Sequence, residues 1–216
     1  CAAGEPTAGL IGIVVSVSSY ETPALSPDLS SRAWERVSRG RAGLSRFQYP
    51  FPMTTKRCFP PVVDIHTRVL VLGSLPGEVS LAQSRYYAHK QNRFWHLMSD
   101  VLGVDLVGLE YEARLQTLLD HRVGLWDVVA EARREGSLDS SIRDHQGNDL
   151  IGLIATLPTL RAIAFNGGTA AKIGEKTLAD HGDRHAILRL PSSSPAYTLA
   201  YAEKRKAWES LRDWLD

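Results

Sequence analysis

A continuous apolar run that ends in a glycine-bounded turn constrains the fold of this chain more than any other sequence feature. The run Arg68-Val69-Leu70-Val71-Leu72 passes directly into Gly73-Ser74-Leu75-Pro76-Gly77. Successive apolar residues are typical of a strand that is buried on both faces of a parallel sheet, and glycine permits the sharp turn where the backbone leaves it. Because open α/β sheets bind ligands at this end of their strands, the run predicts both a parallel sheet and a site at its edge.

Alternating strand and helix patterns continue along the chain after Met53. The predicted strands are residues 68–72, 123–126, 162–165 and 186–190, and the predicted helices are residues 94–102, 111–120, 150–157, 169–179 and 200–214. Strands that alternate with helices form parallel sheets with helices on both faces. The order therefore predicts an α/β fold, a three-layer αβα sandwich whose central parallel sheet has about four strands.

An aromatic segment lies just after the glycine turn. It contains Tyr86-Tyr87-Ala88-His89 and then Asn92-Arg93-Phe94-Trp95. Aromatic rings beside a polar amide are suited to hold a flat ligand ring. The same aromatic residues are also compatible with an ordinary core, and Asn92 stands where a favoured N-cap of the following helix would stand.

A second polar segment follows the last predicted strand. Pro191-Ser192-Ser193-Ser194-Pro195 places hydroxyl groups between two prolines. Hydroxyl and backbone N–H groups are common partners of phosphate, and proline limits the entropy that such a loop loses on binding. The alternative is that Ser194 caps a helix with Pro195 in its first turn.

Together these three segments resemble the uracil-DNA glycosylase superfamily, and most closely its hypoxanthine (deoxyinosine) DNA glycosylase branch. The resemblance extends from about Phe59 to the end of the chain, with the motifs in the family's order. It implies the same three-layer fold, with DNA bound at the carboxyl ends of the strands. The chain has only Cys1 and Cys58, so the four-cysteine iron–sulfur site of another branch is excluded.

One departure from a sister family changes the expected catalytic group. Mismatch-specific glycosylases hold the hydrolytic water with an Asn in the glycine turn, where this chain has Leu75. The resemblance therefore assigns the water to Asn92, as in the hypoxanthine branch, and assigns stacking of the extruded base to Tyr87. Backbone amides of residues 74–77 are expected to bind the base and the charge that develops on it.

Further roles follow from the same resemblance, and each has a structural alternative. Trp126 and Asp127 take the place where relatives read the base edge, but Asp127 is also suited to cap a predicted helix over residues 128–134. His89 can polarise the base or be an exposed loop histidine. Residues 137–141 can shape the rim of the pocket, although we interpret them as solvated.

The DNA-facing residues are expected on two loops. The Asn166-Gly167-Gly168 turn can hold a phosphate with its free N–H groups or can simply connect a strand to a helix. The predicted catalytic residues are Asn92, Ser74 and His89; the predicted base-binding residues are Leu75, Pro76, Gly77, Tyr87, Trp126 and Asp127; the predicted DNA-binding residues are Asn166, Gly167, Pro191, Ser192, Ser193 and Ser194.

Residues 1–52 differ in composition from the rest of the chain. They are rich in Ser, Pro, Gly and Ala, begin with Cys1 and precede Met53. We expect them to be a disordered extension or upstream read-through, with residues 53–216 as the catalytic domain. The alternative is a basic arm that adds DNA affinity through its five arginines, which are Arg32, Arg36, Arg39, Arg41 and Arg46.

Charge argues against a strong non-specific DNA binder. Residues 1–52 contain five Lys or Arg and four Asp or Glu out of totals of 25 and 24, so residues 53–216 carry 20 of each and are formally neutral. An enzyme that extrudes one base needs only a local basic footprint. Candidates for this footprint lie near the motifs: Arg85, Lys90, Arg93, Lys172 and Arg189.

The sequence and the resemblance together predict a monofunctional deoxyinosine DNA glycosylase of base-excision repair that uses no cofactor and no metal. The alternatives are a uracil or mismatch glycosylase, or a non-catalytic nucleic-acid-binding module on the same fold. The expected partner is damaged DNA rather than a membrane, because no apolar run reaches transmembrane length. Two distant cysteines suit a reducing cytoplasm, and a monomer is expected.

Overall fold

The computed structural model describes residues 55–179 and 184–216 of the 216-residue chain. The predictions for residues 1–52 and for Met53 as a start lie outside the described residues.

The strands are β1 (Thr55–Arg57), β2 (Val69–Gly73), β3 (Val123–Asp127), β4 (Val129–Arg133), β5 (Arg143–Gly147), β6 (Ala162–Asn166) and β7 (Ala186–Leu190). The helices are α1 (Glu78–Gln83), α2 (Phe94–Leu102), α3 (Tyr111–Asp120), α4 (Leu150–Ala155), α5 (Gly168–Leu178) and α6 (Tyr201–Trp208), which continues as a 3-10 helix over Glu209–Trp214.

The central sheet has four parallel strands in the order β3-β2-β6-β7. Side chains alternate between its two faces, as the strand period requires. Val69 and Val71 of β2 pack with residues of α2, α3 and α6 on one face, whereas Leu70 and Leu72 pack with residues of α4 and α5 on the other. The predicted three-layer sandwich is therefore confirmed, with the observed strands within one residue of their predicted bounds.

A second, antiparallel sheet corrects one prediction. Residues 128–134 do not form a helix; Val129–Arg133 is strand β4, which pairs with β1 on one side and β5 on the other. The chain turns out of the central sheet at Val128, whose amide donates to Gly73 O at 2.8 Å, and the amide of Val129 donates to Ser74 O at 3.1 Å. These bonds attach the small sheet directly to the glycine turn.

No helix within residues 55–179 and 184–216 is long and apolar enough to cross a membrane.

Candidate active site

A cavity of about 1340 Å³ opens at the carboxyl ends of the parallel strands. The glycine turn after β2, the aromatic segment before α2, the end of β3, the turn after β6 and the loop after β7 all contribute to its wall. Thirteen of the predicted site residues line it: Ser74, Leu75, Pro76, Gly77, Tyr87, His89, Asn92, Asp127, Asn166, Gly167, Ser192, Ser193 and Ser194.

Trp126 and Pro191 are not among the lining residues. Because successive side chains of a strand point to opposite faces, Trp126 lies away from its neighbour Asp127, and its indole Nε1 donates to Phe59 O at 3.0 Å. Pro191 O accepts a bond from Trp208 Nε1 at 2.9 Å. The prediction that Trp126 binds the base is therefore corrected to a packing role, and Pro191 anchors its loop on α6.

Asp127 ends β3 as a buried carboxyl group, 4% exposed. Its Oδ1 approaches Gly73 so closely that a Cβ on Gly73 would lie 2.6 Å away, and its Oδ2 has no hydrogen-bond partner among the described residues. Burial, assisted by the negative charge of Asp139, raises the pKa of Asp127 to about 7. Asp127 caps no helix, and its buried carboxyl carries a proton for part of the time at neutral pH.

Tyr87 contributes an aromatic ring to the cavity wall. The ring stacks on Phe94 with the centroids 3.8 Å apart and the planes at 10°. Its hydroxyl accepts a bond from Asn166 Nδ2 at 3.2 Å, and its backbone has a φ of 53°. With one face covered by Phe94, Tyr87 has one face left for a planar ligand.

Asn92 occupies both positions that the sequence allowed. Its Oδ1 accepts a bond from Phe94 N at 2.9 Å, which caps the first turn of α2, and the residue also lines the cavity. An amide oxygen has two lone pairs, so the cap leaves one for a further donor. The neighbouring His89 is exposed, lines the same cavity and accepts a bond from Gln91 N at its Nδ1, 3.2 Å away.

Asn166 and Ser193 hold two loops together. Asn166 Nδ2 donates to Ser193 Oγ at 2.9 Å and Ser193 N donates to Asn166 Oδ1 at 2.8 Å, while both residues are almost fully buried. Gly167 has a φ of 102° and passes so close to Ser192 that a Cβ would lie 3.0 Å from that residue's Cβ. Asn166 and Ser193 thus hold their two loops together at the cavity wall, and their contact with DNA stays a prediction.

The serine loop itself continues without a helix. Ser194 accepts a bond from Ala196 N at 3.2 Å, whereas α6 begins only at Tyr201. Ser194 is thus not a helix cap. Ser192 and Ser194 are half-buried and Pro195 is exposed, so these three residues present the loop at the cavity mouth.

A buried arginine and an acidic residue complete the site; the sequence predicted no role for Arg134 and included Asp139 only in a loop that can shape the rim. The Arg134 side chain is fully buried; its Nη1 donates to Leu75 O at 3.1 Å, its Nη2 bonds Pro76 O and its Nε donates to Gly136 O at 3.1 Å. Asp139 Oδ1 accepts a bond from Ser74 Oγ at 2.6 Å. These contacts fasten the glycine turn to the loop between β4 and β5.

That loop was interpreted as solvated, and most of it is exposed, but two of its residues also bond the region of the glycine turn. Ser137 Oγ accepts a bond from Glu78 N at 2.9 Å, and burial raises the pKa of Asp139 beside Ser74. Both residues line the cavity. The polar composition of the segment was the available signal, but the partners of Ser137 and Asp139 lie 59 and 65 residues away in sequence.

Within residues 55–179 and 184–216, no group of three His, Cys, Asp or Glu side chains is arranged to hold a metal ion.

Comparison with known proteins places this site in a family. A family model described as the uracil DNA glycosylase superfamily matches residues 60–215. The chain belongs to the uracil-DNA glycosylase superfamily. The match includes every residue of the cavity described above and leaves β1 outside, and it confirms the resemblance seen in the sequence.

Relatives within the superfamily cover most of the chain. The hypoxanthine DNA glycosylase of Methanosarcina acetivorans is 41% identical over 156 residues, which are 72% of this chain and 97% of the relative. That of Methanosarcina barkeri is 38% identical over 153 residues, 71% of this chain and 95% of the relative. A solution NMR structure of a uracil DNA glycosylase candidate from Methanosarcina acetivorans superposes with a TM-score of 0.67 at 40% identity, covering 74% of this chain and 99% of that one.

Proposed function

We propose that this protein hydrolyses the N-glycosidic bond of deoxyinosine in DNA and releases hypoxanthine, as the first step of base-excision repair. Two relatives at 41% and 38% identity bear that name over nearly their whole length. The observation that carries the proposal is the buried Asp127 carboxyl, which lines one cavity together with the Tyr87 ring and the Asn92 amide.

Recognition of the base rests on Asp127. The edge of hypoxanthine presents an N1–H donor beside the O6 acceptor. A protonated carboxyl matches this edge, because its carbonyl oxygen accepts from N1–H while its hydroxyl donates to O6. The raised pKa of Asp127, about 7, keeps part of the population protonated at neutral pH.

The base reaches Asp127 only after it leaves the double helix. Extrusion costs a few kcal/mol of stacking and pairing, which contacts in the pocket must offset. The free face of Tyr87 provides stacking for the extruded purine, and the stacked Phe94 behind it fixes the orientation of the ring. The Asn166 bond to the Tyr87 hydroxyl keeps the ring from turning.

Bond cleavage then requires charge stabilisation and a positioned water. The sugar acquires oxocarbenium character while negative charge develops on the departing purine. A neutral Asp127 that donates to O6 and the backbone N–H groups of Ser74, Leu75 and Gly77 stabilise this charge. The second lone pair of the Asn92 oxygen orients the water, and no strong general base is needed because the glycosidic bond is largely broken before water adds.

The geometry of the glycine turn depends on Arg134. Arg134 bonds the carbonyl oxygens of Leu75 and Pro76, so these oxygens are held in place by the buried guanidinium. The Ser74 hydroxyl is held by Asp139. The turn is therefore preorganised before the base arrives, which is what charge stabilisation in a transition state requires.

A panel of duplexes tests the proposal. Oligonucleotides with a single inosine, uracil, xanthine or ethenoadenine are incubated with the full chain, and released bases are measured by chromatography. Release of hypoxanthine faster than uracil is expected. Preferred release of uracil would favour a uracil or mismatch glycosylase, and binding of the inosine duplex without release of any base would favour a non-catalytic binding module.

The assembly state is part of the same proposal. All of the site residues described above come from one chain, so a monomer suffices for the reaction. Light scattering of the free protein and of its complex with one duplex is expected to give one chain per duplex.

A further inference from the structure

The cavity is larger than a single base requires. Pockets for small molecules occupy about 300–1000 Å³, whereas this cavity occupies about 1340 Å³. The residues assigned to base binding and hydrolysis, which are the glycine turn, Tyr87, Asn92 and Asp127, account for one part of the wall. A further part is formed by β5 and α5, two elements with no assigned role in base release.

β5 contributes Arg143, His145 and Gly147 to the cavity wall. Arg143 Nη1 donates to Ser140 O at 2.7 Å and to Ile142 O at 2.8 Å, which fixes the position of the guanidinium. The side chains of Arg143 and His145 are both exposed.

Helix α5 contributes two further basic side chains to the cavity wall. Lys172 and Lys176 are four residues apart on α5 and both line the cavity, so they lie on the same face of the helix. Neither has a hydrogen bond or ion pair with any residue in the described part of the chain. Glu175 between them pairs instead with Arg189 at 2.6 Å, on a side of α5 that does not line the cavity.

The charge of this region differs from that of the base-binding end. The acidic residues that line the cavity, Asp127 and Asp139, are both next to the glycine turn. Among residues 55–179 and 184–216, β5 and α5 contribute Arg143, Lys172 and Lys176 to the lining and no acidic residue. Since residues 53–216 are formally neutral, these three cations in one groove are a local electrostatic footprint for a polyanion.

We propose that the groove between β5 and α5, defined by Arg143, His145, Lys172 and Lys176, binds backbone phosphates of the DNA strand that flanks the extruded nucleotide. This inference rests on the proposed function for its choice of polyanion. The guanidinium of Arg143 and the two ammonium groups of α5 hold the strand continuous with the base pocket, so the groove contributes affinity and register without base contacts.

The test is the salt dependence of duplex binding. Lys172→Gln with Lys176→Gln removes two cations at exposed helix positions where glutamine is well tolerated. Arg184→Gln with Lys206→Gln is the matched control, because both residues are exposed, neither lines the cavity and the change of charge is the same. Dissociation constants are measured by fluorescence anisotropy between about 50 and 200 mM salt. Over this range the effect of counterion release on affinity is large enough to resolve.

The groove variant is expected to bind inosine-containing and undamaged duplexes more weakly by the same factor. The slope of log K against log salt should become about two units less steep, because each lost phosphate contact removes about one unit.

Two results would overturn the inference. One is a salt slope equal to that of the control pair. The other is a loss of affinity confined to the inosine duplex, which would place the lysines at the base instead of the backbone. The slope is measured without turnover, so a protein that releases no base but shows the predicted slope would refute the proposed function and still support the groove.

Discussion

At the scale of single residues, the proposed reaction depends on the protonation of Asp127. The group is buried, has an unpartnered oxygen and has its pKa raised to about 7. Below that pH the carboxyl is neutral and donates to the base; above it, a carboxylate would oppose the negative charge that develops on the leaving purine. We therefore expect base release to decline as pH rises through about 7.

Two substitutions distinguish the hydrogen-bonding role of Asp127 from the ionisation of its carboxyl group. Asp127→Asn keeps one acceptor and one donor but does not titrate, so its rate should stay within about tenfold of the parent at pH 6 and lose the decline above pH 7. Asp127→Ala removes both groups and should reduce the rate by about a hundredfold. Single-turnover rates of the parent and of both variants are measured between about pH 5 and 9, on either side of that pKa. Equal losses of rate in both variants would contradict the role given to Asp127.

The same ionisation affects stability with a defined sign. Because the folded-state pKa of Asp127 lies above its ordinary value of 3.8, the unfolded chain ionises first as pH rises. The free energy of unfolding should therefore fall between pH values of about 4 and 7 and then level off with respect to this group. Denaturant titrations of the parent and of Asp127→Asn are expected to differ in that interval, and parallel pH profiles would contradict the raised pKa.

Asn92 combines a cap with the position assigned to the water. Asn92→Ala should lower single-turnover release by about two to three orders of magnitude and lower the free energy of unfolding by about 1 kcal/mol. Asn92→Ser is the matched control, because serine caps a helix well but has a shorter side chain. It should restore the melting temperature and leave the rate low; recovery of the rate along with stability would reduce Asn92 to a cap.

The sequence motifs predicted several residues that line the site but not the residue that holds the glycine turn in place. Tyr87, Asn92 and Asp127 were predicted because the motifs around them resemble those of the uracil-DNA glycosylase superfamily. Arg134 was not, because it bonds backbone carbonyls 58 and 59 residues away, and carbonyl groups have no sequence signature. Trp126 was misassigned because the alternation of side chains along β3 sends only one of two neighbours into the cavity.

At the scale of elements, continuous apolar runs predicted the parallel strands well, whereas β4 was mistaken for a helix. Its sequence Val-Ala-Glu-Ala-Arg is locally favourable to a helix, and the pairing that makes it a strand comes from the distant β1 and β5. β5 is exposed along its whole length, so it lacks the apolar alternation that indicates a strand. Long-range pairing determined both elements, and local patterns cannot report it.

Arg134 links this small sheet to the glycine turn, so its loss should affect both stability and chemistry. Arg134→Met leaves the carbonyls of Leu75, Pro76 and Gly136 without this donor and should lower stability by about 3 kcal/mol and the melting temperature by roughly 6–12 °C. Arg133→Met is the control, since Arg133 is exposed and pairs loosely with Asp144 at 3.8 Å. Equal melting temperatures for the two variants would contradict the stabilising role given to Arg134.

At the scale of the whole molecule, a formally neutral domain is proposed to act on a polyanion through one cavity. The parallel sheet brings the glycine turn, Asp127, Asn166 and the serine loop to a common edge, although they are far apart in sequence. The antiparallel sheet adds the loop that carries Asp139. The molecule thus concentrates base recognition, hydrolysis and backbone contacts at one end of its central sheet.

The central claim is that water cleaves the glycosidic bond at this site and leaves the strand intact. Its most direct measurement follows one inosine-containing duplex under single-turnover conditions, with free hypoxanthine and strand length assayed together and borohydride added in a parallel reaction. We predict stoichiometric hypoxanthine, an unbroken abasic strand and no trapped protein–DNA adduct, because Lys90, the lysine nearest the motif residues in sequence, is exposed, whereas lysines that form Schiff bases are activated by burial. A borohydride-trapped adduct that Lys90→Ala abolishes would contradict the claim.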